Sequence, residues 1–217
     1  MRLIEVEKSY CWDGELTGKV LAVMRMFGLD RERVNESEVK HRLSVVIEDG
    51  DICFLTGPSG GGKSVLLGEM VRQFDAGEAV CLEDIDLDTG ASLVDCLSGS
   101  IGEALRLLGK VGLGEARCAL CRGIHLSEGQ KWRYRLAKAF DSGCRVIFAD
   151  EFCSNLDRLT AAVVAFNAAR FARENGITLI VASSNDDVMA EMLPDVVVIK
   201  QLQGEAEVIY RDTTRES

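Results

Sequence analysis

The chain has 217 residues, of which 47% are hydrophobic and 28% charged, and its formal net charge is −10. This length suits one α/β domain spanning residues 1–217 better than two small ones, and no linker or low-complexity tract divides it. The negative charge does not favour extensive nucleic-acid binding, because proteins grip nucleic acids by neutralising phosphates. No apolar run approaches the roughly 20 residues of a membrane-spanning helix, so we expect a cytoplasmic protein that reaches a membrane only through a partner.

Hydrophobic periodicity predicts strands that alternate with helices. In chain order we predict a strand at 2–10, a helix at 17–28, two strands within 42–56 joined by a turn at Asp49-Gly50, a helix at 63–74, a strand at 79–83, mostly helical structure over 92–113, a helix from Ser127, a strand at 145–149, a helix at 157–174, a strand at 177–183, a short helix at 186–193 and a C-terminal hairpin turning at Gln203-Gly204-Glu205. Such alternation is typical of a largely parallel sheet with helices on both faces.

The eight cysteines are scattered, several of them within apolar runs. This pattern indicates packed thiols in a reducing compartment rather than a disulfide framework. Cys118 and Cys121, followed by His125, have part of the spacing of a zinc site. A structural zinc site needs four ligands and no second pair stands nearby, so the pattern favours packing over metal binding.

A phosphate-binding loop joins the predicted strand before residue 57 to the helix after it. Its residues Gly57, Pro58, Ser59, Gly60, Gly61, Gly62, Lys63 and Ser64, followed by Val65, match G-x-x-x-x-G-K-[ST] throughout. Glycines let consecutive backbone N–H groups converge on phosphate oxygens, and the helix N-terminus adds a positive field. We expect Lys63 to hold the β- and γ-phosphates and the Ser64 hydroxyl to bind Mg²⁺.

Two acidic residues follow the buried strand at 145–149. Asp150 stands at the end of this strand, where its carboxylate can reach the magnesium shell beside the loop. Glu151 comes next, and in phosphate-loop ATPases the second acid is suited to orient or deprotonate the attacking water. Adjacent acids alone could simply solvate a strand end, but their position after a phosphate loop favours catalysis.

A third motif, Leu126-Ser127-Glu128-Gly129-Gln130, opens the predicted helix from Ser127. Ser127 and Gln130 have capping-box spacing, and small residues at a helix start leave N–H groups for an anion. The motif resembles the signature of ABC ATPases, with Glu128 where glycine is commoner. Ser154-Asn155-Leu156-Asp157 looks like the D-loop of the same family, and the motifs appear in the family's order over roughly residues 42–200.

The resemblance implies an α/β fold, namely an ABC-type phosphate-loop NTPase with a mostly parallel sheet flanked by helices. It also implies an N-terminal antiparallel β portion and a shortened helical subdomain at about 85–143. The implied cofactors are ATP and Mg²⁺. The implied assembly is a head-to-tail dimer in which Ser127, Gly129 and Gln130 contact the ATP held by the opposite copy, and Glu151 promotes hydrolysis.

This sequence departs from the family's pattern at two functional positions. Asn185 stands where the switch histidine is usual; it can donate a hydrogen bond but cannot become cationic, which predicts slow hydrolysis. Glu83-Asp84 replaces the usual glutamine, so Glu83 is a further candidate near magnesium. Only 64 residues separate Lys63 from Ser127, which is short for a transporter subunit and leaves no room for the coiled-coil arms of chromosome-organising ATPases.

Tyr10, Trp12 and Phe27 are candidates for stacking on adenine, although each is equally suited to core packing and residues 13–38 look like an insertion. The run DEFCSNLDRLTAAVVAFNAARFAR resembles a small group of soluble ABC-type ATPases that occur alone or fused to a predicted acetyltransferase domain. The sequence therefore favours a homodimeric ATPase with an unknown protein partner, of which an acetyltransferase-like protein is one candidate. A dimerisation switch with little hydrolysis and, less favoured, a transporter ATPase subunit remain the alternatives.

Overall fold

The computed structural model describes residues 1–10, 12–36, 39–87, 90–202 and 204–211. Eight strands and eight helices are found in these ranges. In chain order they are β1 Arg2–Tyr10, α1 Gly18–Phe27, α2 Arg31–Glu36, β2 Val39–Ile47, β3 Ile52–Thr56, α3 Lys63–Val71, β4 Ala79–Cys81, α4 Ile101–Lys110, α5 Ala116–Ala119, α6 Glu128–Asp141, β5 Val146–Ala149, α7 Arg158–Asn175, β6 Thr178–Ala182, α8 Asp186–Met192, β7 Val196–Ile199 and β8 Glu207–Tyr210. Short 3₁₀ turns at Leu82–Asp84, Val94–Cys96 and Gly123–His125 complete the helical structure.

Six strands form the central sheet in the order β4-β5-β6-β3-β7-β8. The first five strands in this order run parallel, and β8 pairs with β7 in the antiparallel direction. A separate antiparallel ribbon pairs β1 with β2 along their whole length, from Arg2 opposite Ile47 to Tyr10 opposite Val39. The predicted fold class, including the antiparallel N-terminal portion, is confirmed.

The sheet is buried on both faces because its central strands are apolar except at two end positions, Thr56 in β3 and Thr178 in β6. In β3, Ile52 and Phe54 face one core and Cys53 and Leu55 face the other, as the two-residue period of a strand requires. The first core lies under α4, α6 and α7, and the second lies between the sheet, α3 and the β1–β2 ribbon. A stripe of small residues on α7, among them Ala161, Ala165 and Ala168, lets that helix approach the first core closely.

The structure differs from the sequence prediction over residues 92–113. The predicted helical run is interrupted at Ser98-Gly99-Ser100, where Gly99 has φ 79° and Ser98 donates two hydrogen bonds to the carboxylate of Asp141, one from its N–H and one from its hydroxyl. Helix α4 starts afresh at Ile101 with a capping box between Ser100 and Glu103. Two polar anchors therefore outweigh the apolar periodicity of this segment.

Two other segments add detail to the prediction. Helix α2 was not predicted; it is six residues long and begins where Asp30 accepts a hydrogen bond from the Arg33 N–H at 2.8 Å. The predicted C-terminal hairpin forms between β7 and β8, although Gln203 of its turn lies outside the described residues. None of the helices in the described ranges is long and apolar enough to cross a membrane.

Candidate functional site

The phosphate loop joins β3 to α3 and depends on glycine at two positions for a steric reason. Gly57 has φ 136°, and a Cβ atom there would collide with the carbonyl of Lys200. Gly62 has φ 92°, and a Cβ atom there would collide with the ring of His41. The loop is therefore pressed against the protein behind it, and only glycine permits this approach.

The polar groups of the loop suit a phosphate ligand. The Lys63 ammonium donates to the loop's own carbonyls, at 2.8 Å from Gly57 O and 3.1 Å from Pro58 O. The Gly61 N–H donates to Pro58 O, but the N–H groups of Lys63, Ser64 and Val65 have no protein acceptor within the described ranges. Free N–H groups at a helix start, beside a lysine, are the donors that a phosphate group needs.

Two basic residues that sequence reasoning missed support the loop from behind. Lys200 is fully buried, and its ammonium donates to the carbonyls of Gln201 at 2.7 Å and Gly204 at 3.0 Å. His41 is also buried, and its Nδ1 has no hydrogen-bond partner in the described structure. Burial and the charge of Lys200 lower the pKa of His41, so the imidazole beneath the loop is held neutral. His41 could have been found as the polar residue at an inward-facing position of β2.

The three aromatic candidates for the adenine contact lie in different surroundings. Tyr10 packs edge-on against His41, with ring centroids 5.9 Å apart, and is thereby connected to Gly62. Trp12 lines an apolar cavity formed with residues of α1 and α2. Phe27 lies at the end of α1 and is largely exposed. Only Tyr10 among them has a described contact with a residue that touches the phosphate loop.

The acid pair lies at the same edge of the sheet as the phosphate loop. Ala149 is in register with Val181, and Val181 with Phe54, so the residues that follow β5 and β3 leave the sheet at one edge. Asp150 Oδ1 accepts the N–H of Glu151 at 2.8 Å, and Glu151 has a φ of 44°, which is uncommon for a residue other than glycine.

Glu83 joins this acid pair. Its Oε1 accepts the N–H of Asp150 at 3.0 Å, although the two residues are far apart in sequence. Partial burial raises the pKa of Glu83, and the carboxylates of Asp150 and Asp84 act in the same direction. Glu83, the acid pair, Trp132 and Arg135 line one cavity of about 230 Å³.

Ser183, which the sequence did not single out, ties the strand ends together. Its N–H donates to Leu55 O at 3.0 Å, and its hydroxyl donates to Phe152 O at 3.1 Å. The same hydroxyl accepts the N–H of Asn185 at 3.2 Å. One small polar residue therefore fixes the ends of β3 and β6 and the segment after the acid pair.

Asn185 acts as a helix cap in this structure. Its side-chain oxygen accepts the N–H of Asp187 at 3.0 Å, which starts α8. The predicted contact of this side chain with a nucleotide therefore competes with a local hydrogen bond.

The signature segment starts α6 as predicted. Ser127 and Gln130 form a capping box, with hydrogen bonds of 3.0 and 3.3 Å, and the Gln130 amide also donates to Cys118 Sγ at 3.5 Å. Gly129 packs against the D-loop, because a Cβ atom there would stand 3.2 Å from Leu156 Cδ2 and 3.3 Å from Asn155 O. In the described ranges no hydrogen bond joins residues 126–130 to the phosphate loop of the same chain.

The donor set fits magnesium held between protein and phosphate. No cluster of three His, Cys, Asp or Glu side chains in the described ranges is arranged to hold a metal ion. Mg²⁺ is commonly held by one or two protein oxygens together with substrate phosphates and water. The exposed Ser64 hydroxyl and the Asp150 carboxylate, at one edge of the sheet, can supply those protein oxygens.

Comparison with solved structures decides the fold. The dimeric structure of MJ0796, a bacterial ABC transporter cassette, superposes with a TM-score of 0.63 at 19% identity and covers 81% of this chain and 93% of its own. A second dimeric MJ0796 structure, in a post-hydrolysis state bound to ADP and Pi, gives a TM-score of 0.64 at 19% identity over 81% of this chain and 92% of its own. The chain has the fold of an ABC ATP-binding cassette.

The sequence relatives of this cassette are ATP-binding proteins of transporters. The lipoprotein-releasing system ATP-binding protein LolD of Paramagnetospirillum magneticum is 27% identical over 195 residues, covering 73% of this chain and 85% of LolD. The methionine import ATP-binding protein MetN 2 of Pseudomonas entomophila is 28% identical over 193 residues, which is 72% of this chain and 57% of MetN 2. No family model matches the chain. The cassette is thus homologous to transporter ATP-binding subunits.

Proposed function

We propose that this cassette binds Mg-ATP and hydrolyses it at the interface of a head-to-tail dimer. The observation that carries the proposal is the register of the sheet, which brings the phosphate loop and the acid pair to one edge. Among the described residues, the signature segment makes no hydrogen bond to the phosphate loop of its own chain. A dimer with two-fold symmetry would bring the signature segment of each copy to the phosphate loop of the other.

The residues of one copy would perform the binding and proton-transfer steps. Lys63 exchanges the carbonyls of Gly57 and Pro58 for phosphate oxygens, and the N–H groups at the start of α3 donate to the same phosphates. Ser64 and Asp150 would hold Mg²⁺, which would neutralise negative charge on the phosphates. Glu151 orients a water molecule and accepts its proton. Asn185 would have to leave the N–H of Asp187 to reach a phosphate, which supports slow turnover.

The opposite copy would complete the site. Gly129 presents its backbone N–H and Ser127 its hydroxyl at the start of α6, and Gln130 keeps that start rigid by accepting the Ser127 N–H. These groups would bind the terminal phosphate of the facing nucleotide. Of the three aromatic candidates, we propose that Tyr10 stacks on the adenine ring of the nucleotide.

Complementation between two inactive variants tests this arrangement. Lys63→Ala disables the phosphate loop and Ser127→Arg blocks the signature segment, and each variant alone should hydrolyse no ATP. Mixed in equal amounts, they form heterodimers with one intact composite site, so about one quarter of the wild-type activity should return. No recovery after subunit exchange would contradict a composite site. Turnover measured against protein concentration, with Glu151→Gln as the blank, tests hydrolysis itself.

Two other functions have specific support. The side chain of Asn185 is engaged in capping, which favours an ATP-dependent dimerisation switch with little hydrolysis. The named relatives favour a transporter ATPase subunit about as well as a non-transporter role. ATP-dependent dimerisation without turnover above the Glu151→Gln blank would support the switch, and an integral membrane protein that co-purifies with the native chain from detergent-solubilised membranes would support the transporter.

The proposal of a cytoplasmic, non-transporter role with an acetyltransferase-like partner rests on resemblance alone. The likeness to soluble ABC-type ATPases found alone or fused to a predicted acetyltransferase domain supports a cytoplasmic protein with an acetyltransferase-like partner. Recovery of the native chain in the cytosolic fraction, bound to such a partner, would support this assignment, whereas recovery in the membrane fraction would oppose it.

A further inference from the structure

Glu83 contacts the acid pair but has no part in the mechanism proposed above. It lies in the 3₁₀ turn Leu82–Asp84, directly after β4, at the edge of the sheet. Resting on the function proposed above, we propose that Glu83 is a positioning residue, which holds the backbone of the acid pair in place.

The hydrogen bond from Asp150 to Glu83 continues the sheet where β4 ends. Strands β4 and β5 are paired up to Cys81 and Phe148, and after Cys81 the chain turns away from β5. The Asp150 N–H lies beyond this last pair, and the Glu83 carboxylate accepts it at 3.0 Å. A side chain thereby replaces the backbone acceptor that β4 no longer supplies.

The acid pair needs this support because its backbone is unusual. The Glu83 carboxylate accepts the Asp150 N–H, and the Asp150 carboxylate accepts the Glu151 N–H at 2.8 Å. Each of these two carboxylates therefore fixes the backbone of the next acid in the series. Glu151 has φ 44°, a conformation that persists in non-glycine residues when neighbouring contacts impose it. Loss of the Glu83 acceptor should let the backbone at Asp150 relax and displace Glu151, the proposed general base.

The segment that follows Glu83 is tied to α6. Arg135 Nε donates to Ile85 O at 3.3 Å, and Lys138 Nζ donates to Asp86 O at 2.9 Å. These two basic residues stand one turn apart on α6, which begins directly after Ser127. Helix α6 therefore holds the backbone that follows Glu83, which helps to keep its carboxylate at the acid pair.

Three variants separate the hydrogen bond from the charge. Glu83→Leu removes both; Glu83→Gln keeps an acceptor oxygen of the same reach and removes the charge. Asp84→Asn removes a neighbouring charge that makes no hydrogen bond to the acid pair in the described ranges. Glu83→Ser, whose side chain is too short to reach Asp150, replaces Glu83→Leu if that variant does not fold.

Amide hydrogen exchange of Asp150, followed by NMR on the nucleotide-free protein, reports the hydrogen bond directly. We expect about tenfold faster exchange in Glu83→Leu, the effect of losing one hydrogen bond, and wild-type exchange in Glu83→Gln and Asp84→Asn. Turnover at saturating ATP should fall by about tenfold in Glu83→Leu with little change in KM, because the loss concerns the placement of Glu151 rather than nucleotide binding.

Unchanged exchange at Asp150 in Glu83→Leu would overturn the positioning role, and so would an equal loss of turnover in Asp84→Asn. Faster exchange without any change in kcat would overturn its importance for the reaction. If the wild type shows no turnover above the Glu151→Gln blank while Asp150 exchange still responds to Glu83→Leu, the proposed hydrolysis fails and the hold of Glu83 on the acid pair stands.

Discussion

At the scale of single residues, the side chain of Asn185 has two competing roles, which are the cap of α8 and the proposed contact with the nucleotide. It begins α8 by accepting the N–H of Asp187 at 3.0 Å, and its own N–H donates to Ser183. A side chain engaged in this way has less freedom to turn toward a nucleotide, and as an amide it cannot carry positive charge.

Replacing Asn185 by histidine should therefore change activity and stability in opposite directions. We expect Asn185→His to raise ATP turnover, because an imidazolium can stabilise developing phosphate charge, and to lower the free energy of unfolding by about 1 kcal/mol through loss of the cap. Steady-state turnover and urea unfolding measure the two effects. Asn185→Ala is the matched control, since it loses the cap without gaining a ring; equal turnover in the two variants would contradict the expectation.

Residues that act through the local chain could be predicted from the sequence, and residues that act through tertiary contacts could not. Gly57 to Ser64 form a loop within one strand–helix connection, so their spacing alone placed them. Ser183 and Lys200 are identified only by contacts with strands distant in the sequence. Nothing in the residue types near Ser183 indicates that its hydroxyl meets the segment after the acid pair.

At the scale of elements, the start of α6 packs closely on the D-loop at Gly129. Gly129→Ala would place a methyl group 3.2 Å from Leu156 Cδ2 and 3.3 Å from Asn155 O. We expect this variant to remain folded but to lose most of its ATP turnover, because the signature segment must move away from the D-loop. Turnover and thermal unfolding, compared with the wild type, measure the outcome.

Gly109→Ala in α4 is the matched control, since a Cβ atom there meets nothing within 4 Å. It should leave turnover unchanged and raise the free energy of unfolding by about 0.5–1 kcal/mol, as expected for glycine to alanine inside a helix. Wild-type turnover in Gly129→Ala would show that the close packing of α6 on the D-loop has no bearing on activity.

Element boundaries were predicted well where a cap or a buried run determined them and poorly where distant polar contacts did. Ser127 and Gln130 gave the start of α6 because their capping box is local. The break at Ser98 was not predicted, since its partner Asp141 lies at the far end of α6. The same reasoning applies to Glu83, whose acceptor role depends on the pairing of β4 with β5.

At the scale of the whole molecule, net charge opposes the association that the composite site requires. Each copy carries a formal charge of −10, so two copies repel one another before any contact forms. The contacts expected at the interface join N–H groups, a phosphate and a magnesium ion, which are short-range and weakly screened. Salt should therefore weaken the repulsion more than it weakens the attraction.

ATP-dependent dimerisation should accordingly strengthen as salt is added. For Glu151→Gln with saturating Mg-ATP, we expect the dimer dissociation constant to fall several-fold between about 20 mM and about 200 mM KCl, as the screening length shortens to near 10 Å or less. Sedimentation equilibrium measures the constant, and nucleotide affinity is checked at each salt concentration with the same variant diluted far below that constant. A dissociation constant that rises with salt would mean that paired charges across the interface, rather than the net charge of the two copies, control assembly.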